Sequence, residues 1–134
     1  MHMTEKQQKM IEQIARHYGL KLVIFFGSHA RGTTHSKSDI DIGFLAERDF
    51  GLREIAEIEF EMAQKLNMPR LELTRLGGTS SLFLQQVVSE GQLLYEDAEG
   101  AYASFAVSVF KRFIDEKPLR DLKNKSLRAF SAAL

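Results

Sequence analysis

The sequence has no cysteine, only two prolines and no excess of charge of either sign. The absence of cysteine excludes disulfides and thiolate metal sites, and it is compatible with a reducing compartment. Lys plus Arg equals Asp plus Glu at 18 each. This balance argues against a protein that coats nucleic acid, because binding along the phosphates needs surplus cations. We therefore expect no strong nucleic-acid binding.

Long apolar runs are absent as well. No stretch approaches the roughly 20 apolar residues that span a bilayer, and the N-terminal MHMTEKQQKM lacks the apolar centre of a signal peptide. We expect a cytoplasmic protein without membrane contact.

A length of 134 residues with 44% hydrophobic and 27% charged residues is typical of one globular domain with a real core.

Short apolar runs alternate with segments of helical periodicity. Thr4 has capping-box spacing to Gln7 and begins a predicted helix that Gly19 ends. Further helices are predicted over residues 52–66, from 79 or 80 to 88 and over 102–114, with one helical turn from Ser28; strands are predicted at 20–26, 39–45, 70–76 and 92–95. The predicted fold class is α/β (α+β), a mixed sheet of about four strands flanked by helices.

Two predicted helices have apolar faces that burial can test. The face predicted for the helix over 52–66 consists of Leu52, Ile55, Ala56, Glu59, Met62, Ala63 and Leu66. The face predicted for the last helix consists of Tyr102, Phe105, Ala106, Val109, Phe110, Phe113 and Ile114, with core packing favoured for Phe105, Val109 and Phe113. Pro118 interrupts this helix. A weaker pattern follows through Leu119, Leu122, Leu127 and Phe130, and it fits either contact with a partner or fraying.

Asp39 and Asp41 lie one residue apart in an otherwise apolar segment. Residues two apart on a strand point to the same side, about 6.5–7 Å apart, so both carboxylates share one face. Neighbouring carboxylates repel each other unless a cation lies between them, and Mg²⁺ is commonly held by one or two carboxylates together with substrate phosphates. A pair of solvated acids on an edge strand is the simpler alternative, since a lone D-x-D pattern is weak.

Gly27 and Ser28 follow the preceding predicted strand. Glycine lets the backbone approach a ligand closely, and a serine opening the next turn offers its hydroxyl and nearby N–H groups to phosphate. Taken alone, Ser28 favours an ordinary helix N-cap over phosphate binding, and Arg31 is equally compatible with phosphate binding and with an ion pair. Gly-Ser after one strand and Asp-Ile-Asp on the next would place a phosphate site beside a metal site.

The residues GSHARG at 27–32 and SDIDI at 38–42 resemble the G-S-x-x-R-G…S-D-x-D signature of the DNA polymerase β-like nucleotidyltransferase superfamily. The length, the order of elements and the segment EGQLLYE at 90–96 resemble its small branch, the minimal nucleotidyltransferases (MNT type). The likeness covers residues 4–117. It implies a nucleotidyltransferase domain over residues 1–117, with residues 118–134 as a C-terminal helical tail of the same domain.

The superfamily uses three carboxylates, and the resemblance places Glu72 at the third position, on a later strand beside the first pair. The family usually has Asp there. Glutamate is longer by one methylene, so either it still reaches a metal or the metal is poorly held and activity is weakened. An exposed strand residue that alternates with Leu71 and Leu73 is the simpler alternative.

The resemblance also implies roles for these residues. Asp39 and Asp41 would hold one Mg²⁺ on the triphosphate of ATP, and the same pair with Glu72 would hold a second Mg²⁺, giving two ions per site. Glu72 would take the proton of an acceptor hydroxyl. The implied nucleotide- and phosphate-binding residues are Gly27, Ser28, Arg31 and Ser38.

Three functions are compatible with these observations. The resemblance implies an antitoxin that transfers AMP from ATP to a tyrosine of a cognate HEPN-domain ribonuclease toxin, since 134 residues leave little room to recognise another acceptor. The second is an antitoxin that has lost catalysis through the change to Glu72 and neutralises its toxin by contact alone. The third is a small-molecule nucleotidyltransferase of the aminoglycoside-modifying kind, which generally has a further domain.

Overall fold

The computed structural model describes residues 3–27 and 40–133. Their elements are α1 (Glu5–Tyr18), β1 (Leu20–Phe26), β2 (Ile40–Ala46), α2 (Leu52–Leu66), β3 (Leu71–Arg75), α3 (Ser81–Glu90), β4 (Gln92–Glu96), α4 (Ala101–Asp115) and α5 (Lys117–Ala133). This order confirms the predicted fold class. The helical turn predicted from Ser28 lies outside the described residues. Among the helices described, none combines the length and the apolar character needed to cross a membrane.

The four strands form one mixed sheet in the order β3-β2-β1-β4. Strand β1 is antiparallel to both of its neighbours, β2 and β4. Strands β2 and β3 are parallel, and parallel neighbours need a long crossover connection. Helix α2 lies in that connection, so it brings the start of β3 beside the start of β2.

Alternate side chains of the sheet enter two separate apolar layers, because successive residues of a strand point to opposite faces. On one face, Phe25 and Phe44 pack with Ile14 of α1 and Met62 of α2. On the other face, Ile24 and other sheet residues pack against α3 and α4; the buried members of this layer are Ile24, Leu76, Leu84, Val87 and Val109. The sheet is therefore covered by two helices on each side.

The ends of α1 form as the sequence predicts. The hydroxyl of Thr4 accepts the backbone N–H of Gln7 at 3.1 Å, and the side chain of Gln7 accepts the N–H of Thr4 at 2.9 Å, which completes a capping box. Gly19 ends the helix in the left-handed conformation, with φ of 71°.

The buried face of α2 differs from the predicted one. Ile58 was not part of that prediction and is fully buried, whereas Leu52 is 88% exposed and Ala56 is also exposed. Apolar residues lie on more than one side of this helix, so spacing alone is compatible with two faces. Packing against the sheet selects the face that contains Ile58, Met62 and Leu66.

The last predicted helix is likewise only partly inward-facing. Val109 is buried and Phe105 packs against the second apolar layer, as predicted, whereas Phe113 is only partly buried and its ring lies against Arg120 of α5. Phe110 and Ile114 are exposed, because the predicted face is wider than the strip that touches the sheet and α3. Helix α4 ends at Asp115, just before Pro118, and residues 117–133 form the continuous helix α5.

Candidate functional site

Two of the three predicted acids lie directly opposite each other. Asp41 on β2 and Glu72 on β3 are register partners in the parallel ladder, and paired strands lie about 4.7–4.9 Å apart. Their neighbours Ile40, Ile42, Leu71 and Leu73 belong to the layer beneath α1 and α2. Alternation therefore directs both carboxyl groups to the opposite face, where Asp41 is half-buried and Glu72 is exposed.

Gly27 lies against the carboxyl group of Asp41. A Cβ atom built on Gly27 would be 2.4 Å from Oδ2 of Asp41, and Phe26 is the antiparallel register partner of Asp41. Gly27 also has a φ of +87°, which L-residues rarely adopt. Close approach of the Asp41 carboxyl and the backbone conformation together require glycine here; the predicted approach of a ligand to Gly27 stays a prediction.

A cleft of about 200 Å³ opens beside Gly27. It lies between the end of β1 and α3, and it is lined by Phe26, Gly27, Phe83, Gln86, Val87 and Glu90. The rings of Phe26 and Phe83 meet edge to face with centroids 5.8 Å apart. Since Phe26 packs with the second apolar layer, this cleft is on the same face of the sheet as Asp41 and Glu72.

Glu90 was not predicted as a site residue. In the sequence it belongs to the segment EGQLLYE at 90–96, to which no site role was assigned, yet it lines the cleft beside Gly27. The signal available in the sequence was that same segment, in which an acid lies two residues before β4, the antiparallel neighbour of β1. The next residue, Gly91, lies close to the backbone of α3: an added Cβ would be 2.4 Å from the carbonyl oxygen of Val87.

Four predicted site residues lie outside the described residues: Ser28, Arg31, Ser38 and Asp39. The described part of the chain thus brings together Gly27, Asp41 and Glu72. In that part, no group of three His, Cys, Asp or Glu residues is arranged to hold a metal ion. Two facing carboxylates with a bare backbone position beside them still provide hard oxygen ligands of the kind Mg²⁺ prefers.

A second cleft, of about 280 Å³, lies at the opposite end of the sheet and contains Arg48 and Arg75. Both arginines already face acids: Arg48 Nη2 is 2.7 Å from Glu54 Oε2, and Arg75 Nη1 is 3.8 Å from Asp49 Oδ1. The hydrogen bond from Arg48 lowers the pKa of the Glu54 carboxyl. We do not assign this cleft to phosphate, because its cations have partners and the facing acids are elsewhere.

Sequence comparison gives two findings. Residues 8–100 match the family described as Polymerase beta, Nucleotidyltransferase. The chain is also 34% identical over 103 residues to the protein adenylyltransferase MntA of Shewanella oneidensis, and this match spans 73% of the chain and 71% of the relative.

Comparison with solved structures finds the same fold in related proteins. A chain from the crystal structure of a toxin-antitoxin with AMP-PNP superposes with a TM-score of 0.77 at 27% identity, covering 90% of this chain and 98% of the other. A chain from the structure of tri-AMPylated Shewanella oneidensis HEPN toxin in complex with MNT antitoxin gives 0.74 at 23% identity, covering 94% and 99%. At that lower identity the likeness shows a shared fold only.

Proposed function

Because this chain belongs to the Polymerase beta nucleotidyltransferase family, we propose that it is an antitoxin that transfers AMP from ATP to a tyrosine hydroxyl of a cognate HEPN ribonuclease toxin. The observation that carries the proposal is the direct pairing of Asp41 with Glu72, with Gly27 against the Asp41 carboxyl. A solvated pair of acids would not require the bare backbone position at Gly27.

The relatives support the nucleotide and the acceptor class. The relative with 34% identity is named a protein adenylyltransferase, which describes transfer of AMP to a protein. The relative at 27% identity was solved as a toxin-antitoxin with AMP-PNP, an analogue of ATP. A further relative of the same fold was solved with an AMPylated HEPN toxin. These properties are carried to this chain as part of the proposal.

In the proposed reaction, the acceptor hydroxyl oxygen forms a bond to the α-phosphorus of ATP. The bond from that phosphorus to the bridging oxygen breaks, pyrophosphate leaves, and the hydroxyl proton passes to the carboxylate of Glu72. Gly27 lets the Asp41 carboxyl lie against the end of β1, and Ser28, Arg31 and Ser38 bind the outer phosphates. Fixed positioning and electrostatic stabilisation supply most of the rate in such sites.

Magnesium fits the ligand set, since Asp41 and Glu72 offer facing carboxylate oxygens and Asp39 adds a third in the proposed site. When bound, two ions would stabilise charge on the entering and leaving oxygens. The replacement of the usual Asp by Glu72 is compatible with this set, because the register aligns Glu72 with Asp41.

The test follows label from α-³²P-ATP with Mg²⁺ into the HEPN-domain product of the adjacent gene. We expect wild type to label the toxin and Asp41→Asn to reduce the rate at least about a hundredfold, because a preorganised charged group in such sites contributes about 10²–10³ in rate. Asp49→Asn is the matched control, because its carboxyl is fully exposed at the far end of the sheet.

Contact-only neutralisation is the competing function, favoured by the apolar surface that α4 and α5 leave exposed. It predicts that wild type transfers no label and that Asp41→Asn still protects cells from the toxin. That pair of results would overturn the transferase proposal.

A further inference from the structure

Helix α5 contributes nothing to the core of its own chain. None of its 17 residues is buried. Among the described elements, α4 is the only one with which α5 makes substantial contact. The junction is nevertheless defined: the guanidinium of Arg120 lies 3.7 Å from the ring centroid of Phe113. The carboxyl of Glu116 accepts hydrogen bonds from Ser81 and from Arg112. The helix is thus held to the body by its first turn and is uncovered beyond it.

Exposed apolar side chains are concentrated on these two helices. In the described residues, ten large apolar side chains are exposed, and seven of them belong to α4 and α5: Val107, Phe110, Ile114, Leu119, Leu122, Leu127 and Phe130. We call these seven the tail face. On α5 the four members share one side of the helix, because their spacing follows the helical repeat. Leu122 and Phe130 are 61% and 64% exposed.

The residues of α5 and the C-terminus differ in net charge from the rest of the chain. Residues 117–134 contain five Lys or Arg and one Asp, a net charge of +4, and the remaining 116 residues therefore carry 13 basic and 17 acidic residues, a net charge of −4. A basic amphipathic helix of this kind fits an apolar groove bordered by carboxylates.

The fold comparison shows that α5 belongs to the shared architecture. The match to a chain of the HEPN toxin–MNT antitoxin complex covers 94% of this sequence, which leaves out about eight of 134 residues. At least half of the 17-residue α5 must then have a counterpart in a chain of that structure, which contains a HEPN toxin in complex with an MNT antitoxin. A helix that stabilises no core and is nevertheless shared fits a role in contact with the partner.

We infer that the tail face docks the toxin, in an apolar groove with an acidic border, and so holds the acceptor protein while its hydroxyl occupies the site. This inference rests on the proposed function and adds the surface by which the acceptor is recognised. A second copy of the chain fits less well. On a second copy, the exposed apolar residues of α2, Leu52 and Phe60, would have to cover the tail face. They span only about 12 Å along their helix, which is shorter than the strip on α5 alone, at about 16 Å.

The test measures binding of the purified HEPN protein of the adjacent gene to the full chain without ATP, by calorimetry. The double variant Leu122→Glu/Phe130→Glu is compared with Asn124→Glu/Ala132→Glu, which adds the same charge at the same spacing on the other side of α5. We expect the first to weaken toxin binding at least about thirtyfold, the cost of a lost interface hot spot. The second should stay within threefold of wild type, and both should bind Mg²⁺-ATP as wild type does.

Each contrary outcome is distinct. If wild type labels the toxin and Leu122→Glu/Phe130→Glu binds it equally well, the docking inference is wrong and the transferase proposal stands. If wild type neither binds nor labels the toxin, both are wrong. The inference is also wrong if light scattering shows a dimer that the variant dissociates while its toxin affinity stays unchanged, since the tail face then serves a second copy. The same holds if the variant loses only binding to phosphatidylserine vesicles.

Discussion

At the scale of single residues, Gly27 sets the position of the Asp41 carboxyl. We expect Gly27→Ala to reduce label transfer at least about a hundredfold, because the new methyl group must displace Oδ2 of Asp41, which lies 2.4 Å from it. Gly100→Ala separates this effect from backbone strain, since Gly100 has a φ of +86° with nothing within 4 Å of an added Cβ.

Both alanine variants should lose about 1–2 kcal/mol of unfolding free energy from the left-handed backbone, measured by urea denaturation. Only Gly27→Ala should lose transfer. Equal activities in the two variants would contradict the assignment of Gly27 to the site.

Glu72 is the second residue whose role can be separated from its structure. We expect Glu72→Gln to lose at least about a hundredfold in transfer rate, because the amide keeps the shape but removes the charge and the proton acceptor. Glu72→Asp should retain most of the rate, since it keeps the carboxylate beside Asp41. Rates are measured with saturating ATP and toxin. A Gln variant as active as wild type would show that Glu72 is only an exposed strand residue.

At the scale of elements, Glu116 joins α3, α4 and α5. Its carboxyl accepts the Ser81 hydroxyl and the Arg112 guanidinium, and these hydrogen bonds lower its pKa below the usual 4.5. A carboxyl whose pKa is lowered by folding stabilises the folded state above its unfolded pKa, and this stabilisation is lost as the pH falls through the folded pKa.

We therefore expect the contribution of Glu116 to be complete at neutral pH, to decrease once the pH falls below about 4.5, and to be lost as the pH passes through the lowered pKa. Thermal unfolding measured from pH 7 to pH 3 should show a smaller fall for Glu116→Gln than for wild type. Parallel curves for the two proteins would mean that this junction contributes nothing to the pH dependence of stability.

At the scale of the whole molecule, stability should be distributed unevenly. Strand β1 is paired on both sides and five of its seven residues are buried, whereas α5 has no buried residue. We expect hydrogen exchange to be slowest in β1 and fastest in α5, because local opening of α5 exposes no core. Measured by mass spectrometry on the free protein, strong protection of α5 would instead indicate that it is covered in solution.

The sequence predicted the parts of the fold that depend on local signals. Thr4, Gly19 and Pro118 marked helix ends because caps and breaks are decided by neighbouring residues. The placement of Glu72 beside Asp41 came from the resemblance, since no local pattern reports which strands become neighbours. The buried face of α2 was assigned wrongly at Leu52 and Ala56, because only the sheet decides between two similar apolar strips.

In the candidate site, too, the residues of a local sequence motif could be predicted, and residues placed by the packing of helices could not. Gly27 and Asp41 belong to a spaced motif, and the structure brings them into contact. Glu90 was missed because its place beside Gly27 depends on how α3 crosses the sheet. The roles of all the predicted site residues remain predictions, and Asp39 and Ser28 also lie outside the described residues.

The position of β1 between β2 and β4 has a consequence for synthesis of the protein. Its second neighbour, β4, occupies residues Gln92–Glu96, so a nascent chain released before residue 92 presents the apolar strand LKLVIFF with one open edge. Such an edge is a template for pairing with other chains. Messages truncated between β2 and β4 should therefore yield aggregates rather than a partly folded protein, and only chains translated past the final strand should reach the folded state.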